Sequence, residues 1–64
     1  MKRYVKLFAD DVIADLEWRI EKYPEFADEY EDHISEIGKL VEECRSGQIS
    51  DILAVRLIGE HSDP

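Results

Sequence analysis

YEDHISEIGKLVEEC, residues 30–44, is the stretch whose reading decides the fold. Tyr30, Ile34, Ile37, Val41 and Cys44 step by four, three, four and three along it. That is the period of one face of an α-helix, and no strand alternation fits it. The seam covers two heptads, too short for a free coiled coil. It suits one arm of a helical hairpin whose partner crosses at a shallow angle.

Punctuation on either side sets the length of this arm. Pro24 suits a first helical turn, where its missing N–H is not needed. Phe26 precedes the seam as a further apolar residue. Gly47 stands where a left-handed residue would end the helix. The spacing therefore predicts a second segment over Pro24–Ser46. Gly38 lies inside it, where glycine costs about 1 kcal/mol relative to alanine. It reads either as room for another helix to approach or as a local weak point.

The other arm lies upstream, over Tyr4–Tyr23. Val5, Phe8, Val12, Leu16, Ile20 and Tyr23 recur at steps of three and four, with Ala9 and Ile13 alongside. Its beginning is ambiguous. Lys2, Arg3 and Lys6 oppose the dipole of a helix that begins at the N-terminus, whereas Asp10 and Asp11 favour one that begins at those two acids. Tyr4, Leu7 and Trp18 form a second apolar stripe on the side away from Val12 and Leu16. A third segment could cover that stripe, or another subunit could.

Downstream, Ser50 can cap a helix, Asp51 favours its dipole and Gly59 can close it. Between them Ile52, Leu53, Ala54, Val55, Leu57 and Ile58 leave Arg56 as the one charge. A helix apolar on all sides is expected to be buried on all sides. Residues 60–64 read as a frayed tail, with His61 inert within it.

The expected fold is mainly α. It is a single three-helix domain over residues 1–64: a helical hairpin plus a short apolar C-terminal helix, and dimeric. The alternative is β-α-α-β, with residues 3–8 and 52–58 as paired terminal strands. The dimer expectation comes from an apolar excess that three short helices cannot hide in one layer, and that an isologous pair could. The residues expected at the apolar contact are Tyr4, Leu7, Trp18, Leu57 and Ile58.

Charge narrows the function. The net charge is −8, from 16 acids against 8 bases. Residues 1–6 carry +3, residues 7–32 carry −8 and residues 33–64 carry −3. Direct nucleic-acid binding needs Lys and Arg at phosphates, so it is not expected, nor is binding to anionic membranes. Like charges stand four residues apart at Asp11 with Asp15, Glu17 with Glu21, Glu25 with Glu29, Asp28 with Asp32, and Asp32 with Glu36. Each such pair costs about 0.2–0.5 kcal/mol on a helix. Asp15 with Arg19 is the one clear opposite pair. The acids are thus not arranged to stabilise their own helices. Glu17, Glu21, Glu25, Asp28, Glu29, Asp32 and Glu36 form the candidate partner-binding acidic surface. The plainer account is a solvated face kept charged for solubility.

Catalysis and cofactors are not expected. There is no phosphate loop, dinucleotide fingerprint, nucleophile elbow or triad. Cys44 is the sole cysteine, so no disulfide forms, and its place on the seam reads as a small buried hydrophobe. One thiol suits a reducing, cytoplasmic setting. His33 lies near Glu29 and Glu36, but Tyr30 fills the position a Glu-x-x-His metal motif requires. No run approaches the roughly 20 apolar residues of a membrane span, and the short stretch after Lys6 does not read as a signal peptide. The expected function is a non-enzymatic interaction module or small regulator that binds a protein partner, basic if charged, as a homodimer. The rival is an acidic DNA mimic that inhibits a nucleic-acid-binding protein, of the anti-restriction or anti-CRISPR type.

Overall fold

The computed structural model describes residues 1–63. Three α-helices follow one another: α1 (Arg3–Lys22), α2 (Ala27–Arg45) and α3 (Asp51–Glu60). A 3-10 turn at Pro24–Phe26 leads into α2. No strand occurs among the described residues, so the paired terminal strands are overturned. Residues 3–8 form the first turns of α1, and residues 52–58 form the body of α3.

Packing decides where α1 begins. Its first turn contains no acid, and Lys2 offers no side-chain cap. Each unfavourable cation there costs about 0.3–1 kcal/mol. Extending the helix to Arg3 buries Val5 completely and Ala9 almost so, and one buried valine is worth about 1.5–3 kcal/mol. The ion pair Lys6 Nζ–Asp10 Oδ1, at 2.6 Å, also spans this turn. The expected pair of Asp15 with Arg19 forms as well, at 3.1 Å. A start at Asp10 is therefore corrected.

The end of α2 is set by Gly47, at φ 86°. Its N–H donates to the Cys44 carbonyl at 3.1 Å, and the Gln48 N–H donates to Glu43 at 2.9 Å. These are the two bonds of a Schellman cap, and they need a residue tolerant of positive φ. The chain then reverses. Ser50 caps α3, its Oγ accepting from the Leu53 N–H at 3.1 Å. Gly59 does not close α3 but lies within it, and the Phe8 ring packs over it.

Two contacts fix the course of α3 back along α2. At its start the Cys44 thiol donates to Asp51 Oδ1 at 3.1 Å. At its end His61 meets His33 at 2.8 Å between Nδ1 atoms. The core gathers Val5, Ala9, Val12 and Leu16 from α1, Ile37, Val41 and Cys44 from α2, and Ala54 and Ile58 from α3. Phe8 and His33 flank this stripe on the side where α3 lies. Ile13 and Ile20 of α1, with Ala27 and Ile34 of α2, flank it on the other side and stay half-buried.

At 1.5 Å per residue α3 is about 15 Å long, against about 30 Å for α1, so it roofs only part of the hairpin. The molecule is accordingly elongated, 36 × 16 × 14 Å. The expectation that α3 is buried on all sides is overturned. Ile52 is 79% exposed and Leu53 is also exposed, because a helix laid on a two-helix groove has only one inward face.

Candidate protein-interaction surface

Helical geometry gathers the exposed apolar residues of α1 on its outer face. Positions 4, 7, 11, 14 and 18 step by three and four, which aligns them along one side of the helix. Tyr4, Leu7, Ala14 and Trp18 are exposed there, with Asp11 among them. Trp18 is 53% exposed, so α3 does not cover it. The Lys22 Nζ lies 5.1 Å from the Trp18 ring centroid, a cation–π contact on an open face. Tyr23 and Phe26, at the turn between α1 and α2, are exposed as well.

Three of the five residues expected at the apolar contact therefore share this face: Tyr4, Leu7 and Trp18. Leu57 is half-buried on α3. Ile58 is corrected: it is fully buried and packs in the core. Ile52, not among the residues expected at the contact, holds the outward position on α3 instead. Four-residue spacing puts Ala54 and Ile58 on one side of α3, while Ile52 and Arg56 fall on the other.

The seven acids expected at the partner-binding surface are all exposed: Glu17 and Glu21 on α1, Glu25 in the 3-10 turn, and Asp28, Glu29, Asp32 and Glu36 on α2. Asp28, Asp32 and Glu36 align along α2 away from its core stripe, about 6 Å apart along the axis. Lys39 reaches Glu36 at 3.3 Å. The other ion pairs among the described residues, Lys6–Asp10, Asp15–Arg19 and Glu42–Arg45, touch none of these seven.

Two polar contacts inside the fold escaped the sequence. Cys44 is buried as expected, but its thiol also donates to Asp51. Burial pushes this thiol up from its ordinary value, and the hydrogen bond to Asp51 and that carboxylate's charge push the same way; the N-terminal ammonium opposes them. The thiol is thus held protonated at neutral pH. His61 is not inert: its ring meets the His33 ring edge-on, with centroids 5.0 Å apart. The tail expected from residue 60 is also ordered at its start, since Glu60 is helical and the Ser62 Oγ donates to the Gly59 carbonyl at 2.6 Å. Pro64, the last residue of that tail, lies outside the described residues.

No group of three or more metal-ligating side chains, no cavity, and no helix long and apolar enough to cross a membrane occurs among the described residues. No protein-family model, curated protein or solved structure matches this chain.

Proposed function

We propose that this chain is a non-enzymatic protein-interaction module, a small cytoplasmic regulator that self-associates and binds a protein partner without direct contact to nucleic acid or membrane. The observation that carries the reading is the outer face of α1. Tyr4, Leu7 and Trp18 are exposed there along one 20-residue helix. Aromatic side chains presented in this way are favoured anchors of interfaces. Covering them with a second copy, together with Ile52, would remove the apolar excess the three helices leave outside. Sedimentation at tens of micromolar tests the dimer: a dimer mass is expected, and Trp18→Ala should return it to monomer. A sharp monomer mass for the wild type would overturn self-association.

A second reading is favoured by the acids from Glu17 to Asp32, which have no basic partner among the described residues. In this reading they stand in for phosphates and occupy the basic site of a nucleic-acid-binding protein. Binding would then be tight at low salt and weaken steeply as salt rises. Reversing the charge at Glu25, Asp28 and Asp32 should abolish it. Binding equal to wild type in that triple variant would rule out mimicry.

A further inference from the structure

The His33–His61 contact joins residues 28 positions apart and fixes the last turn of α3 against the middle of α2. Both rings are half-buried. The centroid separation of 5.0 Å nearly reaches the largest value that a 2.8 Å Nδ1–Nδ1 contact allows, that distance plus the two ring radii. The nitrogens therefore face each other head-on. A metal ion between them would need about 4 Å, twice the metal–nitrogen bond length of roughly 2.0–2.1 Å. The arrangement is a hydrogen bond, in which one Nδ1 donates and the other accepts. It requires at least one neutral ring with its proton on Nε2.

We propose that this pair is an acid-sensitive clasp, which holds the C-terminal turn of α3 on α2 and lets go when the second imidazole is protonated. With no proton or one proton added to the neutral pair, the head-on bond survives. With both rings charged, two N–H groups point at each other and no acceptor remains. Imidazole is the side chain whose ordinary charge change falls between about pH 5 and 8.

The surroundings supply charge but no alternative partner. On α2, Glu29 and Glu36 lie one turn either side of His33, and Asp32 adjoins it. On α3 and the residues after it, Glu60 adjoins His61 and Asp63 follows. From α1, Asp15 and Arg19 share the flank of Phe8 that faces α3, and they are paired with each other. Among the described residues, the opposite ring is the hydrogen-bond partner of each Nδ1, and none of these carboxylates bonds to either ring.

Opening has a direct structural consequence. Helix α3 has ten residues, too few to stay helical by itself, and its hold on the hairpin rests on Ala54, Ile58, the half-buried Val55 and its two end contacts. Releasing the His61 end frees Ile58 to leave the core and uncovers Phe8, which packs over Gly59. The open state accepts one more proton than the closed one. By linkage its population rises by up to about tenfold per pH unit as pH falls.

The experiment is nitrogen-15 spectroscopy of the two rings, with amide exchange of the whole chain from about pH 8 to pH 5. In the wild type, one ring should carry its proton on Nδ1 at the upper end. After correction for intrinsic rates, the Leu57–His61 amides should lose protection as pH falls, well before the Val12 and Leu16 amides of α1. His61→Gln and His33→Gln keep a hydrogen-bonding group but cannot charge. Each should remove the pH dependence in α3 and leave α1 unchanged. Independent titration of two rings with protons on Nε2, or the same pH-dependent loss in wild type and both variants, would overturn the clasp.

Discussion

The inward and outward faces of α3 can be tested with two substitutions of the same kind on one helix. Ile58 is fully buried, whereas Ile52 is 79% exposed. Ile58→Ala removes the single large side chain that α3 buries completely, so it should cost about 2–5 kcal/mol. A 64-residue chain has about 3–10 kcal/mol of total stability, so this loss is decisive. At roughly 4–8 °C per kcal/mol, Tm should fall by at least about 8 °C. Ile52→Ala removes little buried surface and exchanges isoleucine for the best helix former, so its effect should stay within about 0.5 kcal/mol. Urea unfolding followed by far-ultraviolet circular dichroism, at two protein concentrations, measures both. Circular dichroism should also show whether Ile58→Ala frees α3 alone: the helical signal would then fall by about a fifth, ten residues against twenty and nineteen in α1 and α2. Equal losses from the two substitutions at the lower concentration would refute the one-sided packing of α3. An Ile52 cost that appears only at the higher concentration would place Ile52 in the interface between copies.

Four further outcomes follow from the same geometry. Ser50→Ala deletes the acceptor of the Leu53 N–H and should lower stability by about 1 kcal/mol, while Gly47→Ala forces an L-residue to φ 86° and should cost about 1–2 kcal/mol; urea midpoints measure both. Gly38→Ala meets no atom within 4 Å and replaces glycine inside a helix, so it should stabilise by about 1 kcal/mol, read as a higher Tm. The raised Cys44 thiol makes the folded state hold its proton more tightly than the unfolded chain. Its contribution is complete below the ordinary thiol value and is lost as pH rises towards the raised one. Urea midpoints should therefore fall above about pH 8.5 in the wild type, and that alkaline slope should vanish in Cys44→Ala.

The parts of this fold legible in sequence are those set by neighbours in the chain. The Tyr30–Cys44 seam, the Ser50 cap and the left-handed Gly47 depend on spacings of three and four residues, and all three stand in the structure. What sequence obscured depends on the path of the chain through space. The start of α1 went against its local charge signals, because burying Val5 and Ala9 outweighs a misplaced cation. In α3 nearly every residue is apolar, so its composition could not say which side faces inward. Ile58 points in and Ile52 out only because α3 lies against the Phe8 and His33 flank. His61 looked inert because nothing within a helical turn of it is a partner; its partner lies 28 residues back.

The short reach of α3 links the site to the fold. Where α3 packs, the hairpin has a closed third side, built on Ala54 and Ile58. Beyond its end, α1 and α2 continue as two helices, and two helices cannot enclose a core between them. The aromatic residues at that end, Trp18, Tyr23 and Phe26, are accordingly exposed, while Ile20 and Tyr30 are half-buried. The half-roofed hairpin thus follows from a turn at Gly47 and a ten-residue third helix, and no change in the aromatic residues themselves would close it. Lengthening α3 at its C-terminal end with apolar residues at the spacing of Ala54 and Ile58 should extend the roof towards this end. The same change would carry the chain past the His33–His61 contact, so a longer third helix would stabilise the hairpin at the expense of the clasp.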